Sequence, residues 1–240
     1  MTDRITLITG ANKGIGLETA RQLGIAGHRI LLGARDAGRA RDALDRLHAD
    51  GVTARFVAID LDDPASIAAA ADDIKRHEGR IDILINNAAI GDPLDGPVGT
   101  ADLAAVRRIF DTNFFGTVAV TQAFLPLLGR SGTGRVINVS SSLGSISLNA
   151  DPSWDYASVK LLGYNGSKAA LNMFTAILAA ELNGRGIAVN AVNPGYTATD
   201  LNGHNGHQSL AEGAQEIVRL ARSDDAATAT FTSKDGPEPW

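Results

Sequence analysis

Residues 4–16 read Arg4-Ile-Thr-Leu-Ile-Thr-Gly-Ala-Asn-Lys-Gly-Ile-Gly16. A short apolar run enters three glycines at 10, 14 and 16, and a segment of helical period follows at Gly14–Ala26. That is the grammar of a strand, a phosphate-binding turn and a helix. Gly10 allows the tight turn, Gly14 lets backbone N–H groups approach a pyrophosphate, and Gly16 lets the helix pack close to the sheet. Standing in the first βα unit, the pattern argues for a dinucleotide site rather than an ordinary glycine-rich loop.

The same alternation continues outward. Further Ile/Val/Leu-rich runs fall at 28–34, 54–59, 81–86, 135–140 and 187–193. Segments of helical period lie between them at 36–49, 63–77, 100–129 and 164–183. Strands alternating with helices predict α/β architecture: a doubly wound Rossmann-type domain with a mostly parallel sheet of six or seven strands, the seventh an edge strand over 228–232. Asp36 and Asp63 read as helix N-caps, the latter followed by Pro64, whose missing N–H costs nothing at the first helical position. Pro126 is expected to kink or end the fourth helical segment. No repeat, low-complexity tract or Pro/Ser-rich linker divides the chain, so one domain is expected over residues 1–240, with 234–240 as an irregular tail.

Composition narrows the function. The 240 residues carry 22 Lys plus Arg against 27 Asp plus Glu, a net charge of −5, which argues against nucleic-acid binding. With no cysteine, there are no disulfides, thiolate nucleophiles or Cys-containing zinc sites, as suits a reducing cytoplasm. No apolar run has the length of a membrane span, and Met1–Thr9 lacks the basic start and long apolar stretch of a signal peptide; a cytoplasmic protein is expected.

At the end of the second strand, where an NAD site offers an acid to the ribose, this chain has Ala34-Arg35. With Lys13 in the glycine turn, two cations can converge on an NADP 2′-phosphate. Asn86-Asn-Ala-Ala89, Asn113 and Ser140-Ser-Ser142 each fall at the carboxyl edge of the expected sheet, where open α/β folds bind ligands. Tyr164 and Lys168 are four apart and share a helix face, so a phenol and an ammonium can act at one point. His204 and His207, with Asp200 nearby, are weak as a metal site because no third ligand stands at helical spacing; no metal is expected.

These motifs, in this order, resemble the short-chain dehydrogenase/reductase family over nearly the whole chain. Ala11-Asn-Lys-Gly-Ile-Gly16 and Gly33-Ala-Arg-Asp36 look like its carbonyl reductase branch. The resemblance implies hydride transfer from NADPH to a carbonyl, with Asn113, Ser141, Tyr164 and Lys168 in catalysis. Tyr164 would donate the proton, Lys168 would lower its pKa and hold the ribose, Ser141 would orient the carbonyl oxygen, and Asn113 would anchor a water next to Lys168. The resemblance places the cofactor on Gly10, Asn12, Lys13, Gly14, Ile15, Gly16, Arg35, Asp60, Leu61, Asn87, Ala88, Tyr164, Lys168, Pro194, Gly195, Thr197 and Thr199. Ala89 departs from the family's glycine, adding a methyl beside the cofactor.

A second departure is an insertion around 147–162. It resembles a shorter version of the one in carbonyl reductases, and that resemblance implies a monomer or homodimer. Trp154, Tyr196, Leu201 and Ile90 could wall a pocket for a hydrophobic aldehyde, ketone or quinone. A competing reading is a non-catalytic NADP(H)-binding regulator, because fold alone does not guarantee activity.

Two Tyr-x-x-x-Lys matches compete, Tyr156–Lys160 and Tyr164–Lys168. Spacing from Ser141 favours Tyr156. Ser167-Lys-Ala-Ala-Leu171 and the distance from Lys168 to Pro194-Gly195 favour Tyr164, and the Tyr156 register would place Gly163 and Gly166 inside a helix at about 1 kcal/mol each. Tyr164 is therefore the expected acid.

Overall fold

A computed structural model describes residues 4–240; residues 1–3, where the Met1–Thr9 reading begins, lie outside the described residues. The apolar runs form β1 (Ile5–Thr9), β2 (Arg29–Ala34), β3 (Ala54–Ala58), β4 (Ile83–Asn86), β5 (Gly134–Val139), β6 (Ile187–Val192) and β7 (Phe231–Ser233). All are parallel, in the order β3-β2-β1-β4-β5-β6-β7, and the order reverses between β1 and β4. That switch point opens a crevice at the carboxyl ends of the strands.

Helices cover both faces: α1 (Gly14–Ile25), α2 (Ala37–Ala49), α3 (Pro64–His77), α4 (Leu103–Phe110), α5 (Thr117–Leu128), α6 (Ile146–Ala150), α7 (Leu162–Glu181) and α8 (Leu210–Arg222). Successive strand residues therefore feed opposite cores. Ile8, Ile30 and Leu32 pack with α1, α2 and α8, whereas Leu7, Leu31 and Val136 pack with α3, α5 and α7. Burial on both faces is why the strands read as unbroken apolar runs rather than alternating ones. The expected caps are present: Asp36 accepts from the Arg39 amide at 2.9 Å, and Asp63 from the Ala65 amide at 2.9 Å.

Three readings need correction. The segment 100–129 is not one helix: Asp102 caps α4, and a π-helical turn at Asp111–Gly116 separates it from α5, which ends two residues past Pro126. Gly116 lets this turn pack tightly on Leu61, since a Cβ there would lie 2.7 Å from the Leu61 carbonyl oxygen. The strand and helix reading assigns nothing to 210–222, where α8 packs on α1. Its signal is a capping box, Ser209-Leu-Ala-Glu212, in which each side chain accepts from the other residue's amide. The tail is ordered: β8 (Gly236–Pro237) pairs antiparallel to β7, an eighth strand beyond the expected edge, and the Trp240 ring lies 5.4 Å from Phe231. Among the described residues no helix is long and apolar enough to cross a membrane.

Candidate active site

The glycine turn leaves β1 with Gly10 at φ +64° and Gly14 at φ +59°, conformations that L side chains resist. At Gly16 the limit is space: a Cβ would fall 2.5 Å from Asn87 Nδ2 and 2.8 Å from the Gly10 carbonyl oxygen. Asn87 pins this turn. Its Nδ2 donates to the Thr9 carbonyl at 2.8 Å, while the Thr9 hydroxyl accepts from the Asn87 and Ala88 amides at 3.0 and 3.1 Å. No side chain caps α1, so its first amides face a cleft of about 460 Å³ ready for an anion.

Asn12, Lys13, Ile15, Asp60, Leu61, Ala88, Ala89, Pro194 and Thr199 also line the cleft. Lys13 is ion-paired to Asp200 at 2.5 Å. Arg35 lines the wall at the end of β2 and makes no ion pair with the described residues. One helical turn beyond it stands Arg39, whose Nε donates to Asp36 at 3.2 Å. Arg39 is a third cation that the sequence reading missed, although its spacing of four from Arg35 was legible.

Tyr164 and Lys168 reach the opposite end of the cleft from α7. The Ser141 hydroxyl stands near the Tyr164 phenol and favours its ionised form, and its Oγ accepts from the Leu143 amide at 3.2 Å. Of Ser140 and Ser141, only Ser140 is among the residues lining the cleft, although the Ser140 hydroxyl itself donates to Asn172 at 2.6 Å. Burial pushes the Tyr164 phenol up to about 12 against the pull of Ser141, and the same desolvation lowers Lys168 to about 8. This corrects the expectation that Lys168 lowers the phenol. Its Nζ donates to the Val139 carbonyl at 2.8 Å and stands 5.7 Å from the Tyr164 ring centroid, and burial outweighs its charge.

Asn113 sits in the π turn. It accepts from the Ile90 amide at 2.8 Å and donates to the Ile90 carbonyl at 3.0 Å and to Ser167 at 3.3 Å, reaching the neighbour of Lys168 rather than Lys168 itself. The two Tyr-x-x-x-Lys matches separate cleanly. Tyr156 lies in a turn-rich segment between Trp154 and Tyr196, with ring centroids 5.6 and 6.1 Å away, and Lys160 donates to the Asn149 carbonyl. Tyr156 and Lys160 thus do not share a helix. The glycine argument against Tyr156 fails, however: Gly163 and Gly166 both lie inside α7 in any case. A Cβ on Gly166 would meet the Phe110 ring at 3.2 Å, so the glycines permit close packing on α4.

Several expected residues stand off the cleft. Gly195, at φ +73°, is backed by Gln208, and Thr197 is buried with its hydroxyl on the Pro194 carbonyl at 3.1 Å. Ile90 and Leu201 line the cleft as expected, while Trp154 and Tyr196 join a row of rings with Tyr156 and His207 outside its wall. His204 and His207 do not converge: His204 pairs with Asp200 at 2.9 Å, and His207 packs on Tyr196.

A family model described as short chain dehydrogenase matches residues 4–210. The chain is 38% identical to the short-chain dehydrogenase anuI of Penicillium roqueforti, over 92% of this chain and 89% of that one. It is 33% identical to carbonyl reductase (NADPH) 3 of Mus musculus, over 94% and 93%. Its fold superposes on an NADPH-bound carbonyl reductase from chicken fatty liver with a TM-score of 0.86 at 28% identity, covering 100% of each chain.

Proposed function

The chain belongs to the short-chain dehydrogenase/reductase family of oxidoreductases, and from that premise we propose that it reduces a small hydrophobic aldehyde, ketone or quinone with NADPH. The observation that carries this reading is that Tyr164, with Lys168 buried beside it, faces the same cleft as the glycine turn and Arg35.

The residues fit the cofactor. The turn at Gly10–Gly16 has room for a pyrophosphate where side chains would intrude, and α1 offers unpaired amides. Lys13, Arg35 and Arg39 would hold the 2′-phosphate, Asp60 and Leu61 would border the adenine, and Asn87, Ala88, Lys168, Pro194 and Thr199 would hold the nicotinamide half. The mouse relative is an NADPH carbonyl reductase by name and the chicken enzyme's structure is NADPH-bound, which supports the same choice. When bound, NADPH supplies a hydride to the carbonyl carbon.

The side chains handle the proton and the oxygen. Tyr164, fully protonated near neutrality, donates its hydroxyl proton to the oxygen as negative charge develops there. Ser141 donates to the same oxygen and fixes its place beside the phenol. The buried Lys168 ammonium stabilises the phenolate left behind, an effect strengthened where water is excluded. Asn113 holds Ile90 on the cleft wall and Ser167 beside Lys168. Met173 and Ile177 are exposed four residues apart on α7, an apolar pair that a second copy would cover in a homodimer.

NADPH consumption followed against aldehydes, ketones and quinones tests the proposal. Turnover with NADPH and little with NADH is expected. Tight NADPH binding with no turnover on any carbonyl would overturn it in favour of a non-catalytic NADP(H)-binding regulator.

A further inference from the structure

Tyr164 is the third residue of α7, in the turn of a helix least held by its own backbone. The first amides of any α-helix lack intrahelical acceptors and must find them elsewhere. Leu161, at the N-cap position, provides no side-chain acceptor. The acceptors come instead from far away in sequence. Asp95 accepts from the Gly163 amide through Oδ1 at 2.8 Å and from the Tyr164 amide through Oδ2 at 2.9 Å. The carbonyl of the next residue, Gly96, accepts from the Leu162 amide at 2.9 Å. Three consecutive amides, ending at that of Tyr164, are thus held by two residues of the loop that follows Asn87.

That loop is braced. The Asp95 amide donates to the Asp92 carbonyl at 3.0 Å, Asp92 accepts from Arg108 on α4 at 2.7 Å, and Asp102, the cap of α4, donates its amide to Leu94 at 3.0 Å. Gly163 makes the approach possible: a Cβ there would lie 3.2 Å from Asp95 Oδ2 and 2.9 Å from Ile109. A carboxylate is also the group that the amino end of a helix dipole favours.

On the reading of Tyr164 as the proton donor, we infer that Asp95 is a positioning residue for it, fixing the first turn of α7 so that the phenol meets Ser141 and stands beside Lys168. Lys168 lies a full turn further along, where the helix holds its own backbone, and does not need this support. A proton donor displaced by about 1 Å loses on the order of 10²-fold in rate, so a frayed first turn reduces turnover without touching the cofactor wall.

The test is a double-mutant cycle on the full chain with Asp95→Ala, Asp95→Asn, Tyr164→Phe and Asp95→Ala/Tyr164→Phe, measuring kcat and the KM for NADPH. Asp95→Ala is expected to lower kcat roughly tenfold or more with KM within about twofold, and Asp95→Asn, which keeps an acceptor oxygen, to recover much of the loss. In the Tyr164→Phe background, Asp95→Ala is expected to cost less than about twofold, because its effect runs through the phenol. An equal loss in both backgrounds, or an unchanged kcat in Asp95→Ala, overturns the inference. Should Asp95→Ala not fold, Asp95→Ser, whose single short hydroxyl cannot meet both the Gly163 and Tyr164 amides, carries the same comparison in the two backgrounds: a kcat loss confined to the Tyr164 background supports the inference, and no loss or an equal loss in both overturns it. Tyr164→Phe alone answers for the catalytic reading: full turnover there defeats that reading and this inference with it, whereas an inactive Tyr164→Phe beside an unimpaired Asp95→Ala defeats only this inference.

Discussion

Lys13 in the glycine turn and Asp200 beyond β6 form an ion pair across the mouth of the cleft, Nζ to Oδ2 at 2.5 Å. The hydrogen bond from Lys13, then its charge and that of His204, hold the Asp200 carboxyl below its usual range. A phosphate that takes Lys13 must displace this carboxylate or lie beside it. Asp200→Asn is therefore expected to tighten NADPH binding roughly three- to tenfold at low ionic strength, with the gain shrinking as salt screens it. Fluorescence titration at two salt concentrations checks this; weaker binding would mean that Asp200 acts chiefly to hold its loop over the cofactor.

Arg35 has no acidic partner among the described residues, whereas Arg39 is engaged by Asp36. The freer guanidinium is the one able to grip a 2′-phosphate without breaking an existing contact. Replacing Arg35 by Asp should reduce the NADPH-over-NADH preference by on the order of 10- to 100-fold, by removing a charge-assisted contact and offering the ribose a carboxylate. The ratio of kcat/KM for the two cofactors measures it, and an unchanged ratio would move phosphate recognition to Lys13 and Arg39.

The parts of the molecule legible in sequence are those set by local pattern. Leu7 and Ile8 feed different cores, so β1 does not alternate apolar with polar, and Gly10, Gly14 and Gly16 are dictated by conformation and space at fixed offsets. Even the α8 capping box was there to be read. What was not legible is made through space: Asp95 meets Tyr164 from 69 residues away, and Trp240 accepts from Ser145 and Ser147 more than ninety residues away. The effect of Lys168 on the Tyr164 phenol was misjudged for a related reason. Its spacing from Tyr164 was visible, but the burial that governs both groups arises only when β5, α7 and the serine loop pack together.

Burial lowers Lys168 from 10.5 to about 8. Between those values the unfolded chain binds more protons than the folded one, so this group makes stability rise with pH across that window, and its penalty is fully present below pH 8. Lys168→Met should therefore be more stable than the parent at pH 7, by about 1–3 kcal/mol after loss of the bond to Val139, with the difference closing near pH 10.5. Urea midpoints at the two pH values test the sign; a variant that is less stable at pH 7 would show that the contacts of the ammonium outweigh its desolvation.

Tyr164 and Tyr156 provide the sharpest contrast in activity. Tyr164→Phe removes the proposed proton donor and should cost on the order of 10²- to 10⁴-fold in kcat with NADPH binding retained. Tyr156 packs between Trp154 and Tyr196 outside the cleft wall, so Tyr156→Phe should stay within a few-fold of the parent, altering at most the choice of substrate. Steady-state kinetics on both variants decide it, and the opposite pattern would require abandoning the roles given to Tyr164 and Lys168.

Gly163 is the residue at which helix propensity and packing disagree. Alanine is preferred to glycine in a helix by about 1 kcal/mol, so propensity alone favours Gly163→Ala. Packing opposes it: the new methyl would lie 2.9 Å from Ile109 Cδ1, 3.2 Å from Asp95 Oδ2 and 3.2 Å from the Val106 backbone. Ile109 can rotate, but the Val106 backbone and the braced Asp95 cannot retreat without lifting the first turn of α7. Overpacking of this kind costs about 1–3 kcal/mol, more than propensity returns, so the variant should be less stable than the parent. It should also lose turnover, because Tyr164 shares that turn. Thermal denaturation together with kcat measures both effects, and a variant as stable and as active as the parent would show that α7 can slide on α4 without disturbing the phenol.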